Sequence, residues 1–186
     1  MTNYDKAIKL LQSGQYEQAI IQFTEYIEMT PSQSAYANRA FCYAQVGNNS
    51  KAIDDFNSAH QVCLDRINEP NIAAEQRELN LIDMTRYQIQ IGYLLTEMNR
   101  FEEAAVYYQT AILNYVIIKD QSKIEALTSL SKLYCDSSFA NISYGNQRQA
   151  VLDLTNAIKT AKTVEEKQEA LFAADITGLR QFIEYI

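Results

Sequence analysis

The feature that most constrains this chain is a spacing that recurs around four short polar turns, marked by Gly14, Gly47, Asn99 and Gly145. Five residues after each stands alanine: Ala19, Ala52, Ala104 and Ala150. Nine residues after stands a large apolar side chain, at Phe23, Phe56, Tyr108 and Leu154, and twelve after come Tyr26, Ala59, Ala111 and Ala157. Seven before each turn is a small residue (Ala7, Ala40, Gly92, Ser138), and four before are Leu10, Tyr43, Leu95 and Asn141. Offsets of five, nine and twelve fall near one face of a helix. Small residues let two antiparallel helices approach, the large one fills the gap to the next pair, and glycine supplies the positive φ that ends the first helix. A helix–turn–helix of this kind cannot bury its apolar face alone and must stack on a neighbour.

Composition supports the same reading. Two prolines and five glycines in 186 residues leave little material for the tight turns of an all-β fold. A chain of this length buries roughly 70% of its unfolded surface, so it needs no disulfide or metal to fold. The formal net charge is -7, with no basic stripe, which argues against a nucleic-acid partner and against an anionic membrane surface. No apolar stretch reaches 18 residues, and the polar start Met-Thr-Asn-Tyr-Asp-Lys predicts neither a signal peptide nor a membrane span. Cys42, Cys63 and Cys135 are odd in number and widely spaced, so the expectation is reduced thiols and a cytoplasmic location.

Chemistry-bearing constellations are scarce. His60 is the one histidine, with neither clustered cysteines for zinc nor a triad partner in sight. No glycine-rich phosphate loop occurs. The acid pairs Asp54-Asp55, Glu102-Glu103 and Glu165-Glu166 read as first-turn residues facing the positive end of a helix dipole. The expectation is therefore no enzyme, no cofactor and no metal.

The spacing resembles the tetratricopeptide repeat family. The second unit carries the resemblance best, with Tyr36-Ala-Asn-Arg-Ala-Phe-Cys-Tyr-Ala-Gln-Val-Gly47 followed by Lys51-Ala-Ile-Asp-Asp-Phe56-Asn-Ser-Ala59. The first has Gly14-Gln-Tyr16-Glu-Gln-Ala19-Ile, Phe23 and Pro31, and the third keeps Gly92 and Phe101-Glu-Glu-Ala104, with Asn99 at the turn. The fourth departs most, with Gln147 where an aromatic is usual and Asn141 where an apolar residue is usual. The resemblance implies an all-α, right-handed superhelical array of antiparallel helix hairpins. The turn-to-turn steps of 33, 52 and 46 depart from the family's period of 34. Residues 71–85 and 121–133 lack loop composition, so the later hairpins are expected to be elongated. The predicted helices are 3–13, 16–29, 34–46, 49–68, 71–98, 101–118, 121–144, 147–162 and 164–185. One domain, 1–186, would hold repeats at about 3–33, 34–68, 71–118 and 121–162, with a C-terminal capping helix at about 164–185 in which Gly178 is a candidate kink or early end.

In the family, the first helix of each hairpin lines a concave groove that holds a protein or peptide partner. By offset from the turns, the resemblance places Tyr4, Ile8, Asn38, Phe41, Gln45, Arg86, Gln90, Tyr93, Glu97 and Phe139 there, a ladder of large apolar side chains flanked by amides and acids. The same ladder would be core if the array wound tightly. Co-chaperone members grip a C-terminal carboxylate at positions matching Tyr4, Ile8, Asn38, Arg86 and Gln90, where only Asn38 and Arg86 fit, which argues against that ligand. The expected function is a non-enzymatic adaptor, scaffold or small chaperone. The alternatives are a self-assembling structural repeat forming a homo-oligomer and, less favoured by the residues, a helical enzyme or small-ligand sensor.

Overall fold

The computed structural model describes residues 2–125 and 128–183. The elements among them are helices: α1 (Asn3–Gln12), α2 (Tyr16–Met29), α3 (Gln33–Gln45), α4 (Asn49–Ile67), α5 (Ala74–Glu97), α6 (Phe101–Ile117), α7 (Ser122–Glu125), α8 (Leu130–Ser143), α9 (Gln147–Thr160), α10 (Val164–Ile176) and α11 (Arg180–Ile183). They fall into two compact units, Met1–Leu94 and Leu95–Ile186, with the boundary inside α5.

Local sequence sets where these helices begin. Thr2 and Asp5 form a capping box on α1, and Thr163 and Glu166 form one on α10. Ser32, Asn48, Ser129 and Asn146 accept from orphan backbone N–H groups of α3, α4, α8 and α9. Caps of this kind are worth about 1 kcal/mol each.

The turns close in one way. Gly14, Gly47 and Gly145 have φ of 74°, 75° and 99°, and Asn99 reaches 58°. In each case the N–H one residue past the turn donates to the carbonyl four residues before it: Gln15 to Leu10 at 2.9 Å, Asn48 to Tyr43 at 2.8 Å, Arg100 to Leu95 at 2.9 Å and Asn146 to Asn141 at 2.8 Å. That bond uses an otherwise orphan carbonyl of the ending helix and turns the chain back.

In unit 1, α1 packs on α2, α2 on α3 and α3 on α4. Phe23 is fully buried with Ala7, Ala19, Ala35 and Cys42 around it, and Phe56 stacks on Tyr87 at 5.9 Å. In unit 2, α8 packs between α6 and α9, and α10 lies against α8 and α9. There Ala150, Leu154, Ala174 and Leu179 form the buried cluster. The alanines five residues after each turn are all fully buried.

Three expected helices end elsewhere. Residues 71–73 lie outside α5, which starts at Ala74 yet still runs for 24 residues, against 10 for α1 and 13 for α3. The expected helix 121–144 is not continuous. Four residues form α7, residues 126 and 127 are outside the described set, and α8 starts afresh behind Ser129, whose Oγ accepts from Lys132 N at 3.2 Å. The expected helix 164–185 stops at Ile176, with residues 184 and 185 outside the described set. Gly178 then adopts φ 68°, and Leu179 N donates to Ala174 O at 3.0 Å. This is a fifth turn of the same build, 33 residues after Gly145, the step that separates Gly14 from Gly47. α10 therefore occupies the place of a first helix in a further hairpin, and its Ala170 and Ala174 are buried.

Candidate partner-binding face

Side chains six residues before a turn sit on the first helix of a hairpin. In unit 1 the Phe41 ring is 44% exposed and rests edge-on against Tyr16, with ring centres 6.2 Å apart. Tyr4 is more deeply committed: its ring meets Phe23 at 5.8 Å and Tyr26 at 5.1 Å, and its hydroxyl accepts from Asn38 Nδ2 at 3.2 Å. Ile8 packs on the same cluster. These two support the core while keeping an edge on the surface. Gln45 is exposed, whereas Arg86, Gln90 and Tyr93 are half-buried. The Arg86 guanidinium donates to Asp83 one helical turn back, at 3.3 Å.

In unit 2 the same offset gives Phe139, 48% exposed and edge-on to Phe101 at 5.9 Å, and Glu97 is exposed. Each of these two exposed phenylalanines leans on an aromatic two residues after the preceding turn. The fifth turn adds Phe172 at the same offset, 65% exposed. The ten groove residues omit it; the signal for it was the 33-residue step from Gly145 to Gly178.

Beneath the face lies a polar network that the sequence reading also missed. Eight residues before and after Gly47 stand Arg39 and Asp55. The guanidinium grips the carboxylate through Nε and Nη2, both at 2.7 Å, and donates to Thr24 of the preceding hairpin at 2.9 Å. Asp55 is thus a buried ion-pair member, and α4 carries no acid in its first turn, so Asp54-Asp55 is not the dipole pair it was read as. Glu102-Glu103 and Glu165-Glu166 do lie in first turns. The matching acid around Gly145 is Asp153, 1% exposed. It accepts from Ser137 Oγ at 2.7 Å, Asn141 Nδ2 at 3.0 Å, Gln149 Nε2 at 2.8 Å and Gln109 Nε2 at 3.1 Å. Burial raises its pKa, and the four donors oppose that shift.

Reactive chemistry has little footing here. Burial pushes the thiols of Cys42 and Cys63 up to about 11 and about 12, and Cys135 to about 11, which keeps them protonated and poor nucleophiles. His60 lies 3.3 Å from the Gln88 amide nitrogen, and burial lowers its pKa. Among the described residues no group of histidine, cysteine, aspartate or glutamate side chains could hold a metal ion, and no helix is long and apolar enough to cross a membrane.

Paired helices, one turn geometry and a repeated small-residue contact define a protein of stacked helical hairpins. Residues 85–113, spanning the Asn99 turn, match the tetratricopeptide repeat model. Among solved structures, a tetratricopeptide repeat protein from Parabacteroides merdae is similar over 92% of this chain and 69% of its own, at 20% identity and a TM-score of 0.32. No curated protein matches the chain.

Proposed function

We propose that this chain is a non-enzymatic interaction module, an adaptor, scaffold or small chaperone that holds a protein or peptide on the first-helix face of its units. The observation that carries this reading is the recurrence of an exposed phenylalanine six residues before a turn, at Phe41, Phe139 and Phe172. Exposed rings favour self-sticking in a free protein, and a partner that covers them is a physical reason to keep them. Aromatic anchors with a polar surround are what energetically dominant contact sites require. Asn38, Gln45, Gln90 and Glu97 supply hydrogen-bonding groups beside the rings. A cytoplasmic location belongs to the same proposal and rests on three free cysteines.

The test is a pair of variants, Phe41→Ala and Phe139→Ala, assayed for helical circular dichroism and for partner capture. A buried anchor ring typically costs about 2 kcal/mol of binding when truncated, roughly thirtyfold in affinity. Loss of capture with the helical signal intact is expected. Unchanged capture would move the binding surface elsewhere, and loss of the fold would make the rings core.

A further inference from the structure

The first-helix face of unit 2 carries a charge pattern that the general reading leaves unused. Nine residues before their turns, α8 and α10 each present an acid, Asp136 and Glu169, and six before each presents a phenylalanine, Phe139 and Phe172. Glu165 and Ile176 extend the row on α10, at helical spacings from Glu169 and Phe172. Asp136 is mostly covered, its side chain 14% exposed, and Lys132 closes on it at 2.5 Å, so the open acids of the row are Glu165 and Glu169 on α10. α10 packs against α8, and the Glu169 carboxylate acts electrostatically on Lys132 and Cys135 of that helix. On α10, Ala170 and Ala174 are buried, while Phe172 and Ile176 stand 65% and 66% exposed on other sides, so this helix is apolar toward solvent as well as toward the core.

We infer that this face takes a cationic and apolar protein segment, a stretch presenting Lys or Arg beside Leu or Phe. The inference rests on the reading of the first-helix row as the partner face. Acids flanking exposed rings repel an anionic ligand. They neutralise Lys or Arg side chains whose neighbours cover the phenylalanines, and the ring faces themselves attract cations. The net charge of -7 draws such a segment in and opposes nucleic acid and anionic lipid.

Fluorescence anisotropy on the full chain tests this with two labelled synthetic helical peptides, one with Leu and Lys on a single face and one with Glu in place of each Lys. The Lys peptide is expected to bind at least about tenfold more tightly, a difference of about 1.4 kcal/mol. The double variant Glu165→Lys with Glu169→Lys is expected to erase that preference. The control Glu17→Lys with Glu28→Lys makes the same net charge change at exposed sites on α2 of unit 1, and should retain it. Circular dichroism on each variant confirms the fold. Equal binding of the two peptides, or equal losses in both double variants, overturns the inference. The companion variant Phe139→Ala with Phe172→Ala separates the two levels. Binding that needs the rings but shows no charge preference leaves the first-helix face standing and removes the cationic partner. Lys-peptide binding that ignores the rings removes both.

Discussion

Unit 1 and unit 2 solve the same interior problem with opposite chemistry. Five positions correspond by offset from Gly47 and Gly145 and the hairpin before each. In unit 1 they are Thr24, Arg39, Tyr43, Lys51 and Asp55; in unit 2 they are Gln109, Ser137, Asn141, Gln149 and Asp153. Both sets hold a buried aspartate eight residues after the turn. Unit 1 neutralises it with one guanidinium, itself flanked by the Tyr43 ring, 5.8 Å from its central carbon. Unit 2 has no cation in the set and surrounds the carboxylate with three amides and a hydroxyl. A bidentate guanidinium is geometrically strict, whereas a ring of neutral donors spreads the same work over three helices. The comparison teaches that the fourth repeat's departures form a set. Asn141 stands where an apolar residue is usual because Ser137 has taken the place of the arginine.

The contrast can be broken by experiment, starting with the largest effect. Arg39→Ser copies the unit 2 residue into unit 1 without the amides that make it work. It leaves Asp55 buried and uncompensated, and should cost about 3–5 kcal/mol in denaturant unfolding. A loss under about 1 kcal/mol would show that water reaches Asp55 and that the pair is not an interior support.

Next, Asn141→Leu restores the family's usual residue to the fourth repeat. In most settings a gain in apolar burial stabilises, yet here it removes a donor from Asp153, and the expected outcome is a loss of about 1–3 kcal/mol. Stabilisation by this variant would mean that the donors around Asp153 are redundant.

The smallest effect is a pH dependence. Burial raises the folded-state pKa of Asp153 above the ordinary aspartate value of 3.8. Between those two values the folded chain holds a proton that the unfolded chain has released, so this group's contribution to stability improves as pH falls through the folded pKa. Asp5, Glu103 and Glu166 shift downward and oppose it, so the contribution is read as a difference between the parent chain and Asp153→Asn. The parent should lose less stability on mild acidification than the variant. Parallel curves would show that Asp153 titrates normally.

Much of this molecule was legible in its sequence, and the parts that were not share a cause. The four turns and the buried alanines follow from residue types with strict local requirements, since positive φ and close helix approach admit few side chains. The helix break before α8 was hidden because Ile124, Leu130 and Leu133 continue an apolar spacing through it, and a serine cap at Ser129 is a weak signal inside such a pattern. Gly178 reads as a kink or early end of a capping helix, and not as a fifth turn, because Ile183 stands five residues after it where the earlier turns have alanine. The network around Asp153 lay beyond single-helix periodicity altogether, because α6, α8 and α9 each supply part of it. On the candidate face, Phe41 and Phe139 are exposed, while Tyr4 and Ile8 pack on the core cluster, a distinction set by neighbours rather than by offset.

The uniform turn has a consequence for how such a chain can change length. Every contact position counts from the glycine or asparagine that ends a first helix, so the turn acts as an origin that restarts the register of its own hairpin. Steps of 52 and 46 residues are then tolerated beside steps of 33, since the surplus enters between the contact positions of one hairpin and the next turn, as longer ends of α4 and α6, a lengthened α5 or the separate α7. Residues gained or lost there alter the reach of a hairpin and leave untouched which side chain meets which. A single residue inserted between a turn and the alanine five positions later would instead rotate the whole second helix by about 100° and present the wrong face to its partner. Length variation in such an array is therefore a property of one segment per repeat.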